Sequence, residues 1–370
     1  MSDTDKYGGT TAITTTATGF FRVQEVAGRW WFITPEGHGF LSLGVNHIDS
    51  AALKYADNVH IWRERYGSEG RFLTDAVRAD LRDWGFNTIG WTQEVVARHR
   101  DHSPPWRQAD YARAGLPYCH LIRFTEMEMW NRLARFPDVF SDEFADWCDA
   151  LARDCCVDMA EDPYLIGYFY SDIPAWNAAN FGEAWTDHFA MDSESGRRDF
   201  ARTAERYYQV IHDAIRRYDE NHLLLGDRYN NDVNVPPVLL EAMAPTVDVI
   251  SLQHFGDMSD FIADARRYHA LTGKPVINAD IGFHIHAFGK PVVPGMETQR
   301  DRGRAYAESA AACFAEPHFI GWHWCAYIEN ATRQAGLKDR FDEPYLEAVA
   351  PIREFNRSLY ARAGTGTAAS

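Results

Sequence analysis

Eight short and nearly continuous apolar runs recur along the chain: FLSLGVNHI (40–48), FNTIGWT (86–92), YCHLIRF (118–124), YLIGYFYSD (164–172), HLLLGDRYN (222–230), VDVISLQHF (247–255), KPVINADIGF (274–283) and FIGWHWCAYIE (319–329). Runs that are apolar at successive positions, bounded by polar residues, read as parallel strands buried on both faces. Between them lie amphipathic stretches that read as helices, among them RFLTDAVRADLRDWG, SDEFADWCDALARDCCVDMAED, RRDFARTAERYYQVIHDAIRRYDE, SDFIADARRYHALTG and RDRGRAYAESAAACFAE. Ser141 with two acids behind it marks a helix start, and Gly273 a helix stop.

Strand and helix alternating eight times predicts an α/β chain folded as a single (β/α)8 barrel. A doubly wound open sheet is the competing arrangement, but no GxGxxG or Walker loop follows any strand. Upstream, GFFRVQEVAGRWWFITPEGHG (19–39) predicts a short N-terminal β-hairpin over the closed end of the barrel, with Pro-Glu-Gly as its turn. The expected organisation is therefore a poorly ordered N-terminus over 1–18, a barrel with its hairpin over 19–360, and a disordered tail over 361–370.

Composition narrows the function. The net charge of −16 over 370 residues argues against nucleic acid, which demands clustered Lys and Arg. No apolar run is long enough to span a membrane, and residues 1–19 lack the apolar stretch of a signal peptide. Six cysteines show neither CxxC nor metal-ligand spacing, so they read as reduced core residues of a cytoplasmic protein. Nothing in the sequence decides between a monomer and a homo-oligomer.

In a barrel the C-terminal strand ends gather at one mouth. Those ends carry Asn46 and His47, Trp91, Arg123, Asp172, Asp227 with Arg228 and Tyr229, Gln253 and His254, Asp280, and then Trp322, Trp324, Tyr327 and Glu329. Several carboxylates among histidine, arginine and indole suit sugar chemistry, in which two acids flank the glycosidic oxygen and aromatic faces hold the ring. Asp49 and Asp248 read as cap or turn residues, and Trp84 as core. His284 and His286 near Asp280 raise a metal site, but that set lacks a matching further ligand and no metal is expected.

The stretches WFITPEGHGFLSLGVNHID, GYFYSDIPAW, GKPVINADIGF and GWHWCAYIEN resemble the family 50 β-agarases, of the retaining clan A of glycoside hydrolases, across residues 29 to 360. The resemblance implies a glycosidase without cofactor that acts on an oligosaccharide. It also implies a general acid/base at the end of strand four and a nucleophile at the end of strand seven. The clan has glutamate at both places; this chain has Asp172 after Ser171, and Asp280. Each aspartate is one methylene shorter, which retracts a carboxyl by roughly 1.5 Å. A retaining separation of about 5–5.5 Å and an inverting one of about 6.5–9.5 Å both stay open. Asn46, His47, Trp91, Arg123, Asp227, Gln253 and His254 are then expected to bind substrate, with Asn46, His47, His254 and Arg123 holding hydroxyls. Trp176, Trp322 and Trp324 are the expected stacking platforms, and Glu329 is a reserve acid. Long segments at 49–72, 125–140 and 283–300 would wall the mouth and favour exo action. A barrel that binds a sugar without hydrolysing it, or acts as an isomerase or lyase, is the alternative.

Overall fold

The computed structural model describes residues 4–92, 102–132, 134–287, 290–291, 295–330 and 335–364. All eight predicted strands form: β1 Ser42–Asn46, β2 Thr88–Ile89, β3 Tyr118–Leu121, β4 Leu165–Asp172, β5 Leu223–Asn230, β6 Ile250–Gln253, β7 Val276–Ile281 and β8 Phe319–Cys325. They are hydrogen-bonded in chain order, with β8 beside β1, as a closed barrel. Helices follow the strands, including Asp142–Cys156, Glu194–Arg216, Met258–Thr272 and Gln299–Ala315.

The helices are placed by their sequences. Asp142–Cys156 buries Phe144, Cys148, Ala152 and Cys156, a four-residue spacing that lays one stripe on the sheet. Its start is the Ser141 hydroxyl, which accepts from the Phe144 N–H at 3.2 Å. Met258–Thr272 stops where Gly273 turns left-handed at φ +69°. No helix among the described residues is long and apolar enough to cross a membrane.

The N-terminal region differs from expectation. Thr10–Thr14, within the stretch expected to be poorly ordered, is a strand paired with His38–Phe40. These join Arg29–Ile33 and Arg22–Val26 in one four-stranded sheet. The hairpin inside 19–39 turns at Ala27-Gly28, both at positive φ, and not at Pro-Glu-Gly, which links its second strand Arg29–Ile33 to His38–Phe40. Two successive left-handed residues match the twist of a two-residue hairpin loop, a signal that the more familiar Pro-Glu-Gly obscures. At the other end, Leu346–Gly364 is helical into the expected tail, and 365–370 lie outside the described residues.

Packing divides the chain into two compact units, one of Met1–Thr15, His38–Tyr118 and Asp280–Ser370, the other of Thr16–Gly37 and Cys119–Ala279. In the first, β8 runs parallel to β1 with Gly321 opposite Ser42 and Cys325 opposite Asn46. The His323 ring lies between them, its Nε2 2.8 Å from the Ser42 hydroxyl. In the second, the ring of Phe20 meets His222 edge-on at 5.2 Å and Trp30 meets His269 at 6.3 Å. There His222 Nδ1 and the Tyr168 hydroxyl share the Asp219 carboxylate, each at 2.7 Å.

Gly44 is glycine because a Cβ there would collide with the His323 imidazole. Gly44→Ala is expected to cost about 1–3 kcal/mol. Thermal unfolding would show this as a melting temperature several degrees lower, whereas Gly70→Ala, where an added Cβ meets only the Arg113 side chain at 3.8 Å, provides the contrasting control for steric crowding.

Candidate active site

Two buried carboxylates lie at or near the ends of their strands inside networks of donors. In the unit built from Cys119–Ala279, Asp172 closes β4. Tyr168 bonds outward to Asp219, and Tyr170 meets Phe124 edge-on at 5.8 Å. A register irregularity between Phe169 and Asp172 breaks that alternation. Asp172 therefore meets the barrel-lining side chains and not the helices. Its Oδ1 accepts from Gln253 Nε2 at 2.5 Å and lies 3.5 Å from Arg228 Nη1, while Oδ2 accepts from Trp130 Nε1 at 3.1 Å.

Arg228 is fully buried, lies over the Phe169 ring and donates from Nη2 to the Ala279 carbonyl at 3.0 Å. Arg123 forks onto Glu128, Nε to Oε1 and Nη2 to Oε2, and its guanidinium stands 5.4 Å from the Trp130 ring centre. Burial pushes the Glu128 carboxyl up, Arg123 opposes this, and the charge of Asp172 adds to it.

In the unit containing Asp280–Ser370, Asp280 sits near the end of β7. The Asn46 amide is fixed at both ends: Nδ2 donates to Asp280 Oδ1 at 2.8 Å and Oδ1 accepts from the Trp91 N–H at 2.9 Å. His47 Nε2 stands 4.0 Å from Asp280 Oδ2. The His47 backbone is left-handed at φ +48°, and its N–H donates to the Trp91 carbonyl. Such a conformation is uncommon outside glycine and is held here by that bond and by the Trp91 ring 5.3 Å away.

Asp172, Arg123 and Gln253 thus come together in one cluster, and Asp280, Asn46, His47 and Trp91 in the other. The remaining expected site residues do not join them. Asp227 and Trp176 bond to each other in the core: Asp227 accepts from Trp176 Nε1 at 3.0 Å, Tyr208 at 2.7 Å and Tyr207 at 3.2 Å. The Trp176 ring stacks on Trp185 at 4.4 Å and has no exposed face for a sugar. Trp322 and Trp324 are also fully buried, both beside Tyr306 of the outer helix Gln299–Ala315. Alternation makes His323 the inward residue and sends both indoles out, the reverse of a stacking platform.

His254 follows the inward Gln253. It points to Asp232 at 3.0 Å and the Asp257 carbonyl at 2.7 Å, and stacks on Phe261. Glu329 accepts from the Tyr345 hydroxyl at 2.9 Å, with Arg302 at 3.9 Å, so it braces the segment after β8. Of the metal set, the His286 side chain lies outside the described residues. Asp49 and Asp248 are turn residues as expected, accepting from the Ala51 and Leu224 N–H groups, and Trp84 is buried.

Sequence reasoning missed Trp130 and Glu128. Their signal was the alternation of Glu126-Met127-Glu128-Met129-Trp130, which marks an extended segment. It pairs antiparallel with the residues just after Asp172, Glu128 opposite Pro174.

No family model matches the chain. β-Agarase B of Vibrio sp. (strain JT0107) is 21% identical over 93% of this chain and 48% of that protein, and β-agarase A of the same strain is 22% identical over 97% and 48%. The chain spans about half the length of these curated relatives. Among solved structures, that of an exo-β-agarase superposes with a TM-score of 0.78 at 18% identity, over 98% of this chain and 68% of that one.

Burial pushes the Asp227 carboxyl up to about 6 from its ordinary 3.8, against the hydrogen bonds of Tyr208, Trp176 and Tyr207. A group raised on folding contributes stability that is full below its unfolded pKa and lost as pH rises through its folded one. Unfolding free energy should therefore fall between about pH 4 and pH 6, by on the order of 2–3 kcal/mol from this residue. Asp227→Asn keeps the shape and can accept from Trp176 and Tyr208. Denaturant titrations across this range should show a flatter profile for the variant, and an unchanged slope would refute the assignment.

Proposed function

We propose, from the premise that this chain is a distant relative of the family 50 β-agarases, that it hydrolyses O-glycosidic bonds of an oligosaccharide with Asp172 as general acid/base and Asp280 as nucleophile. The observation that carries the reading is the pair of buried carboxylates, at the end of β4 and near the end of β7, each oriented by donors from other strands or from the segment after β3. That both carboxylates act on one sugar is part of this proposal, which takes the strand ends of a barrel to gather at one mouth. The similarity to β-agarases and to an exo-β-agarase structure supports a glycosidase with exo action.

In this reading Asp280 attacks the anomeric carbon through Oδ2 while Asn46 holds Oδ1. Asp172 gives its proton to the departing oxygen, so the glycosidic bond breaks as a glycosyl ester forms. Water, losing a proton to Asp172, then attacks the same carbon and frees Asp280. Trp130, half-buried with its N–H on Asp172, replaces the buried indoles as the aromatic face beside the leaving group. Gln253 and Arg228 fix the direction of Asp172.

The test is kinetic. Asp172→Asn and Asp280→Asn should both keep the fold and lose turnover by several orders of magnitude on an unactivated oligosaccharide. With an aryl glycoside whose leaving group needs no proton, Asp172→Asn should keep a fast first step, and azide should accelerate the second. Asp280→Asn should stay slow with both. Near-normal turnover in either variant would exclude the pairing. Proton NMR of the first-formed anomer should show retention; inversion would make Asp280 the base that activates water.

A further inference from the structure

Asp280 has two neighbours that glycoside hydrolysis does not explain together. The ligand atoms of His47, Asp280 and Cys325 all lie within 4.8 Å of one another, and all three residues are buried. The fold makes this trio. Parallel pairing of β8 with β1 sets Cys325 opposite Asn46, and the left-handed turn at His47 brings its imidazole to Asp280 Oδ2 at 4.0 Å. That distance is too long for a hydrogen bond. Atoms bound to one tetrahedral ion at about 2.0–2.3 Å stand roughly 3.5 Å apart, so small side-chain rotations would close the set.

Imidazole nitrogen, carboxylate oxygen and thiolate sulfur form a mixed set that suits Zn2+ or a similar thiophilic divalent ion. The hard ions Mg2+ and Ca2+ prefer all-oxygen sites. Because Asn46 occupies Oδ1, the ion would take Oδ2, the oxygen assigned to attack the sugar. We infer that His47, Asp280 and Cys325 form an inhibitory site for Zn2+, whose occupancy withdraws the nucleophile from the reaction. The inhibitory half of this inference rests on the reading of Asp280 as nucleophile; the binding half does not.

The experiment titrates metal-free protein with zinc against a chromogenic chelator, and in parallel follows hydrolysis of an aryl glycoside. One equivalent should bind, activity should fall over the same zinc range, and EDTA should restore it. Mg2+ and Ca2+ in large excess should do neither. Cys325→Ser should weaken binding and inhibition together by at least about tenfold, since even indirect support of a metal ligand is worth that much. Unchanged zinc affinity in Cys325→Ser, zinc bound without loss of activity, or no zinc bound would each overturn the inference. Should Cys325→Ser fail to fold, Co2+ added to the unaltered chain must give a thiolate-to-cobalt charge-transfer band; its absence would equally overturn the site. Direct binding and the cobalt band decide the metal site even if no glycoside is turned over, which would count against the hydrolase reading alone.

Discussion

Alternation of side chains along the barrel strands is the constraint on which the rest of this structure depends. Successive residues of a strand face opposite ways, so neighbours in sequence are assigned to different environments by a single step. Asp227 goes to the helices and Arg228 to the interior; Gln253 reaches Asp172, and His254 packs on Phe261. On β8 the same rule turns His323 toward Ser42 and buries the tryptophans on either side against Tyr306. Irregularities along β4, between Tyr168 and Phe169 and between Phe169 and Asp172, interrupt the rule and deliver a carboxylate to the strand end.

Chemically similar groups diverge in character as a result. Asp227 is wholly enclosed among Trp176 and two tyrosines, where burial outweighs the donors and its carboxyl is pushed up to about 6. Asp172 and Asp280 retain slight exposure, and the groups that hold them come from other strands or from loops. An amide holds one oxygen of each: Gln253 for Asp172 and Asn46 for Asp280. Both amides project inward from strand ends, so each carboxylate keeps a fixed direction while its other oxygen meets a different neighbour, the Trp130 N–H in one case and the His47 side in the other.

Much of this was legible in the sequence. The eight apolar runs located every barrel strand, because parallel strands covered on both faces must be apolar at consecutive positions. That same property hid the inward and outward sets. In FIGWHWC nothing in the pattern says whether the indoles or the imidazole line the barrel, and the preference for aromatic rings at sugar sites pointed the wrong way. The glycines facing His323, Gly44 on β1 and Gly90 just after β2, carried the answer, and both lie far away in sequence. Glu128 and Trp130 escaped notice because they follow β3 in a segment read as loop. Their partner, the stretch after Asp172, pairs with them across a long separation that local pattern does not encode. The N-terminal strand Thr10–Thr14 was missed for a related reason: a Thr-rich run has strand propensity but needs His38–Phe40 beside it to be realised.

The central claim is that Asp280 attacks the sugar that Asp172 protonates. It is tested most directly by trapping the covalent intermediate with an activated 2-deoxy-2-fluoro glycoside of whichever sugar the protein turns over, followed by mass spectrometry of its peptides. The account predicts a single glycosyl adduct on Asp280, formed in step with loss of activity. An adduct on Glu128 or Asp172, or inactivation without any adduct on Asp280, would contradict it.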